Sequence, residues 1–113
     1  MSDPIEITEM SGTWVIRAGG AVLGETQNAL QVTQSGHDAA VYFPRADIAM
    51  AMFEQSDTTK VCPYKGNATY YALQTKSMLI EDAAWSYEAP KPGYEQIAGY
   101  LSFHTDKVVV EEI

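Results

Sequence analysis

From Thr13 to Arg17 the side chains alternate, Trp14 and Ile16 on one side and Thr13, Val15 and Arg17 on the other, and the chain then reaches Gly19-Gly20. Residues two apart share a face only in an extended strand, so the pattern predicts a half-buried strand. Paired glycines supply positive φ cheaply, which lets Ala21 to Glu25 return as a hairpin arm. The same reading continues along the chain. Strands are expected near Ala29 to Thr33, at Val41-Tyr42-Phe43 ending at Pro44, at Asn67 to Thr75 with Tyr71 and Leu73 on one face, and at Met78 to Tyr87. Tyr100 to His104 and Val108 to Glu112 read as a closing hairpin across Thr105-Asp106. The helical exception is one short helix near residues 44–54: Pro44 suits a first turn, Asp47 suits the positive end, and Ile48, Met50, Met52 and Phe53 follow without a glycine. Ala89-Pro90-Lys91-Pro92-Gly93 predicts a rigid turn, followed by one helical turn over Tyr94 to Ala98. Ser56 to Gly66, rich in Ser, Asp, Thr, Pro and Gly, predicts a long irregular surface connection. The expected fold class is therefore mainly β (α+β), a compact antiparallel assembly, with residues 1–113 forming a single domain.

Composition narrows the partners. Seven Lys and Arg against fifteen Asp and Glu leave a net charge of −8, which repels phosphate backbones and anionic membrane surfaces. No nucleic-acid partner and no membrane partner are expected. Cys62 is the only cysteine, so neither an intramolecular disulfide nor a cysteine-rich zinc site can form within one chain. His37 and His104 sit in turn-like segments with no ligand spacing between them, and no metal or other cofactor is expected. The start, Met1-Ser2-Asp3-Pro4-Ile5-Glu6, shows no basic segment followed by an apolar one, and no apolar run approaches the ~20 residues of a membrane helix. A reducing, cytoplasmic setting follows as an expectation. Oligomeric state is not legible.

Chemistry-bearing residues concentrate in two segments. Ser56 to Tyr71 contains Cys62-Pro63-Tyr64-Lys65-Gly66, and Glu81 to Pro90 contains Asp82-Ala83-Ala84-Trp85-Ser86-Tyr87. A thiol becomes a nucleophile as thiolate, and Lys65, three residues on in a turn, could stabilise that form of Cys62. The competing reading is that Cys62 merely packs, since free cysteines are often buried, and that Lys65 is a solvated loop lysine. Asp82 is a candidate base or an orienter of Lys65, or else an exposed strand-edge carboxylate. Tyr64, Trp85 and Tyr87, with Tyr70 and Tyr71 nearby, offer apolar area with polar tips, as a ligand cleft needs, and equally as a core uses.

Both segments resemble the motifs of domain-of-unknown-function family 427. Further agreement lies in Tyr42-Phe43-Pro44-Arg45-Ala46-Asp47 and in Ile97-Ala98-Gly99-Tyr100-Leu101-Ser102-Phe103, so the resemblance spans nearly the whole chain. It implies a β-rich single domain similar to β-tent folds, whose relatives include zinc-bearing and small-ligand-binding domains. The zinc-binding relatives use paired cysteines, and here Cys62 stands alone. The family also carries a nucleotidyltransferase label, but no glycine-rich phosphate loop followed by spaced metal-binding carboxylates is found in this chain. Two positions depart from the family pattern: Gln34, where an acidic residue is common, and His104, where Tyr is common.

The residues support a small-ligand-binding or catalytic domain with a pocket built from the Asp57–Gly66 loop and the Asp82–Tyr87 strand. In the catalytic version Cys62 is the nucleophile or redox thiol, Lys65 its electrostatic partner and Asp82 the base, with Tyr64, Trp85 and Tyr87 as ligand walls. In the binding version the aromatics form a cage and Cys62 packs. A non-catalytic interaction module using an exposed sheet edge, and the nucleotidyltransferase of the family label, stand as alternatives. Tyr64, Lys65, Asp82, Trp85 and Tyr87 are expected to border one concavity.

Overall fold

The computed structural model describes residues 5–36 and 38–113. His37 and the chain start through Pro4, with the leader reading made on it, lie outside the described residues. Ten strands are formed among the described residues: β1 Ile5–Glu9, β2 Trp14–Ala18, β3 Ala21–Thr26, β4 Leu30–Gln34, β5 Ala40–Tyr42, β6 Phe53–Cys62, β7 Gly66–Gln74, β8 Leu79–Ser86, β9 Leu101–Phe103 and β10 Val109–Glu112. They make three antiparallel sheets, ordered β1-β4-β5, β10-β2-β3 and β6-β7-β8-β9.

The four-stranded sheet is the structural centre because both of its faces are apolar. Along β7, Tyr71 and Leu73 enter a first hydrophobic cluster while Ala68 and Tyr70 enter a second, which is strand alternation buried on both sides. The first cluster joins this sheet to β2 and β3 through Ile16, Leu23, Phe43, Ile48, Phe53, Leu101 and Phe103. The second joins it to β4 and β5 through Leu30, Val32, Tyr42, Tyr87 and Ile97. Tyr42 and Phe43, adjacent on the chain and both fully buried, serve one cluster each. Burial of each such side chain contributes about 1.5–3 kcal/mol, so this dipeptide ties both cores to the central sheet. The tie is reinforced by paired backbone bonds, Phe43 N–H to the Leu101 carbonyl at 2.8 Å and Leu101 N–H to the Phe43 carbonyl at 3.0 Å.

Three sequence expectations are corrected. The short helix near residues 44–54 is realised as two 3-10 turns, Arg45–Asp47 and Met50–Met52. Ile48 bridges to Gly24 and the Ala49 N–H donates to the Leu23 carbonyl at 2.8 Å, so the middle of the segment spends its backbone groups on β3 instead of on a helix. Gly24 is required there: a Cβ would stand 3.0 Å from the Asp47 carbonyl oxygen and 3.0 Å from Ile16 Cδ1. Ser56 to Gly66 is not an irregular connection but most of β6, a tight turn and the start of β7. Its polarity reflects an edge strand, mostly exposed, with a register shift between Gln55 and Thr59. The closing hairpin does not form either. β9 pairs with β8 and β10 with β2, so the segment from His104 to Val108 crosses between sheets. The helical turn expected over Tyr94 to Ala98 is present as Glu95–Ile97.

No described helix is long and apolar enough to cross a membrane.

Candidate functional site

The segment crossing from β9 to β10 borders a concavity shared by strands of all three sheets. A cleft of about 460 Å³ is lined by Trp14 of β2, Gln34 at the end of β4, Asp38, Tyr42 of β5, Lys65 in the β6–β7 turn, Trp85 of β8, and His104 and Asp106 of the crossing segment. Both tryptophans of the chain border it.

Trp85 is its best-fixed element. The indole Nε1–H donates to the Tyr42 hydroxyl at 3.0 Å, and the Tyr42 ring meets the indole edge-on at 6.4 Å between centroids. His104 packs against the indole at 4.8 Å and Tyr70 at 6.3 Å between ring centroids. An aromatic held on several sides and half-exposed on the remaining one offers a rigid surface that loses little entropy when covered. Tyr42 is fully buried, and burial pushes its phenol up to about 12, with the Trp85 hydrogen bond opposing and the Cys62 and Tyr70 neighbours adding. It stays a neutral phenol at physiological pH. Burial, followed by the nearby Lys107 charge, lowers the His104 pKa, with Asp106 opposing, so His104 is neutral near pH 7.

Of the residues expected at the site, Lys65 and Trp85 share the cleft. Tyr87 stands behind Lys65, whose Nζ lies 5.1 Å from the Tyr87 ring centroid. Cys62 is half-buried and packs on the second hydrophobic cluster; its Sγ accepts the Lys65 backbone N–H at 3.4 Å. That bond closes the β6–β7 turn. Tyr64, on the same turn, is exposed and outside the lining. Asp82 is elsewhere: it occupies the left-handed region with φ 50°, in a bulge of β8, and its carboxylate accepts from Ser56 Oγ at 2.9 Å and from Thr58 Oγ1 at 3.0 Å. The bulges of β6 and β8 are thereby tied together, and Asp82 borders a separate depression with Glu54 and Glu81. The expectation of one concavity shared by Tyr64, Lys65, Asp82, Trp85 and Tyr87 is thus corrected to Lys65 and Trp85, because Tyr64 points outward, Tyr87 is buried beneath Lys65, and the β8 bulge carries Asp82 away.

Trp14, Tyr42, Asp38 and Asp106 were not singled out from the sequence, and only the rarity of tryptophan, with two in the chain, could have flagged the first. Gln34 and His104, the two departures from the family pattern, both line the cleft. Among the described residues, no three His, Cys, Asp or Glu side chains gather in a way that could hold a metal ion. No curated protein matches the chain. A family model described as a domain of unknown function (DUF427) matches residues 6–112, essentially the same span as the fold described above, and the chain belongs to that family.

Proposed function

We propose that this chain is a small-molecule-binding domain whose cleft takes a planar, largely uncharged ligand against the Trp85 indole. The supporting observation is that Trp85 is locked by Tyr42, Tyr70 and His104 yet remains half-exposed on a cleft that also holds Trp14. At about 460 Å³ the cleft has the volume of ordinary small-molecule sites. Lys65, Gln34, Asp38 and Asp106 supply the few polar groups that fix a ligand's orientation. Binding is favoured over thiol catalysis because Cys62 packs on the core and Asp82 is committed to Ser56 and Thr58. The nucleotidyltransferase alternative needs carboxylates gathered around a divalent cation, and no described group of that kind favours it. A lone lysine on the cleft and the net charge of −8 leave nucleic acid without its electrostatic anchor. A lone thiol suits a reducing compartment, and we assign the domain to the cytoplasm.

Intrinsic fluorescence tests the reading, since both tryptophans report on the cleft. Titrating the Trp14→Phe variant with adenine, uracil, indole and 4-hydroxybenzaldehyde should give saturable quenching of Trp85 by at least one compound, with sub-millimolar affinity. A linear, non-saturating response to all four would count against it. The interaction-module alternative has one supporting feature, Val61, 75% exposed on edge strand β6. A concentration-dependent oligomer abolished by Val61→Lys would favour that reading.

A further inference from the structure

The amines of the chain are not equivalent. Lys91 Nζ donates to the Pro63 carbonyl at 2.9 Å and Lys107 Nζ to the Glu81 carbonyl at 3.2 Å, while Lys76 is exposed and Lys60 lies 5.5 Å from the Tyr70 ring on a mostly exposed edge strand. Lys65 differs from all of them. Its side chain is half-buried, lines the cleft, forms no salt bridge and donates to no oxygen among the described residues; its Nζ has only the Tyr87 ring face at 5.1 Å. An ammonium in that position is short of solvation, and the surroundings offer it little in return.

We propose that Lys65 is a carbonyl-capturing amine, which condenses reversibly with the aldehyde or ketone group of a planar ligand lying against Trp85. The inference rests on the cleft being a ligand site and adds the ligand's chemical class. In the step, the neutral Nζ lone pair forms a C–N bond to the carbonyl carbon while the C=O π pair moves to oxygen. A proton passes from nitrogen to that oxygen, giving a carbinolamine. The C–O bond then breaks, water leaves, and a C=N bond joins ligand to Lys65. One amine and one carbonyl give one imine and one water, and no oxidant or reductant takes part.

Three features favour this over capture of an anion by a charged Lys65. Burial lowers the Lys65 pKa more than the nearby Cys62 raises it, which enriches the nucleophilic free amine. Asp38 and Asp106 line the same cleft and would repel an anionic ligand, as does the net charge of −8. A carbonyl compound is neutral on entry, so neither repulsion opposes it.

The test is reductive trapping on the intact protein. The full chain is incubated at pH 7 with 4-hydroxybenzaldehyde and sodium cyanoborohydride, digested, and the adducts at all five lysines are counted by mass spectrometry. Lys65 should be modified at least tenfold faster than Lys60, Lys76, Lys91 or Lys107. Trp85→Ala should bring Lys65 down to the level of the others, and Lys65→Arg should abolish the fast adduct. Saturable Trp85 quenching by the aldehyde with no preferential Lys65 adduct overturns carbonyl capture and leaves the binding cleft standing. Absence of both quenching and adduct overturns the two together. Preferential labelling that persists in Trp85→Ala assigns the reactivity to the turn alone and also overturns the proposal.

Discussion

Replacing Tyr42 with Phe removes one oxygen from a fully buried ring and tests what holds Trp85 in place. The Tyr42 hydroxyl accepts the Trp85 indole N–H at 3.0 Å. Its loss costs about 1 kcal/mol, toward the low end for a donor left without a partner, because water can reach a half-exposed indole. With an unfolding entropy of about 2.1 cal/mol/K per residue over 113 residues, that is a fall in Tm of about 4 °C at pH 8. Alkaline pH should reverse the order. The Tyr42 phenol is raised from 10.0 to about 12 in the fold, so the unfolded chain releases its proton first, and the stability it contributes is complete below pH 10 and lost as pH rises toward 12. At pH 11 the loss from this one group is about 1.4 kcal/mol, enough to cancel the hydrogen-bond advantage. Tyr87 is also raised, first by burial and then by the neighbouring Tyr42, so removing the Tyr42 hydroxyl relieves part of the Tyr87 shift and closes the gap further at alkaline pH. Urea unfolding of wild type and Tyr42→Phe from pH 8 to 11.5 should therefore show a gap that closes near pH 11. A gap that is absent at pH 8, or constant with pH, would refute the reasoning.

Arg45→Ala should lower stability by about 1–3 kcal/mol in urea unfolding, because Arg45 donates to the Gly99 carbonyl, the Tyr71 hydroxyl and Glu88 and so pins the first 3-10 turn to β7 and to the connection between β8 and β9. Asp82→Asn should be milder than Asp82→Ala in the same assay, since Asn tolerates the left-handed backbone at φ 50° and keeps one acceptor for Ser56 or Thr58. Because burial lowers the His104 pKa below 6.5, its contribution to stability is complete above that value and lost as pH falls through the lowered one; His104→Asn should flatten the acid limb of a Tm-versus-pH curve.

Much of the fold was legible because period-2 alternation survives where one face of a strand is wetter than the other, as along Leu30 to Thr33; at Thr13 to Arg17 the alternation marked a strand, although Val15 and Ile16 are both buried. It misled where the pattern had two physical causes. Ser56 to Gly66 looked like a loop because an exposed edge strand carries the same polar residues as a loop; the β-branched Thr58, Thr59 and Val61 were the signal for strand. The segment after Pro44 looked helical because nothing local shows that Ile48 and Ala49 bond to β3, more than twenty residues away. The site was half-legible for the same reason. Lys65 and Trp85 stand in short motifs that carry their own signature, whereas Trp14, Gln34 and Asp106 reach the cleft only because β9 and β10 join different sheets, a tertiary fact no local window contains. Asp82 was misplaced by a bulge that turns a strand carboxylate away from the face its alternation predicts.

The most direct measurement is of the two indole N–H resonances of the ¹⁵N-labelled protein during titration with a library of planar, neutral heteroaromatic and carbonyl fragments. If the cleft is a ligand site, fragments that bind will shift the Trp85 indole resonance saturably below millimolar concentration, shift Trp14 with it, and leave amides near the Asp82 bulge unmoved. A library in which no fragment moves either indole saturably, or in which shifts centre on the Asp82 depression, would contradict the assignment of this cleft.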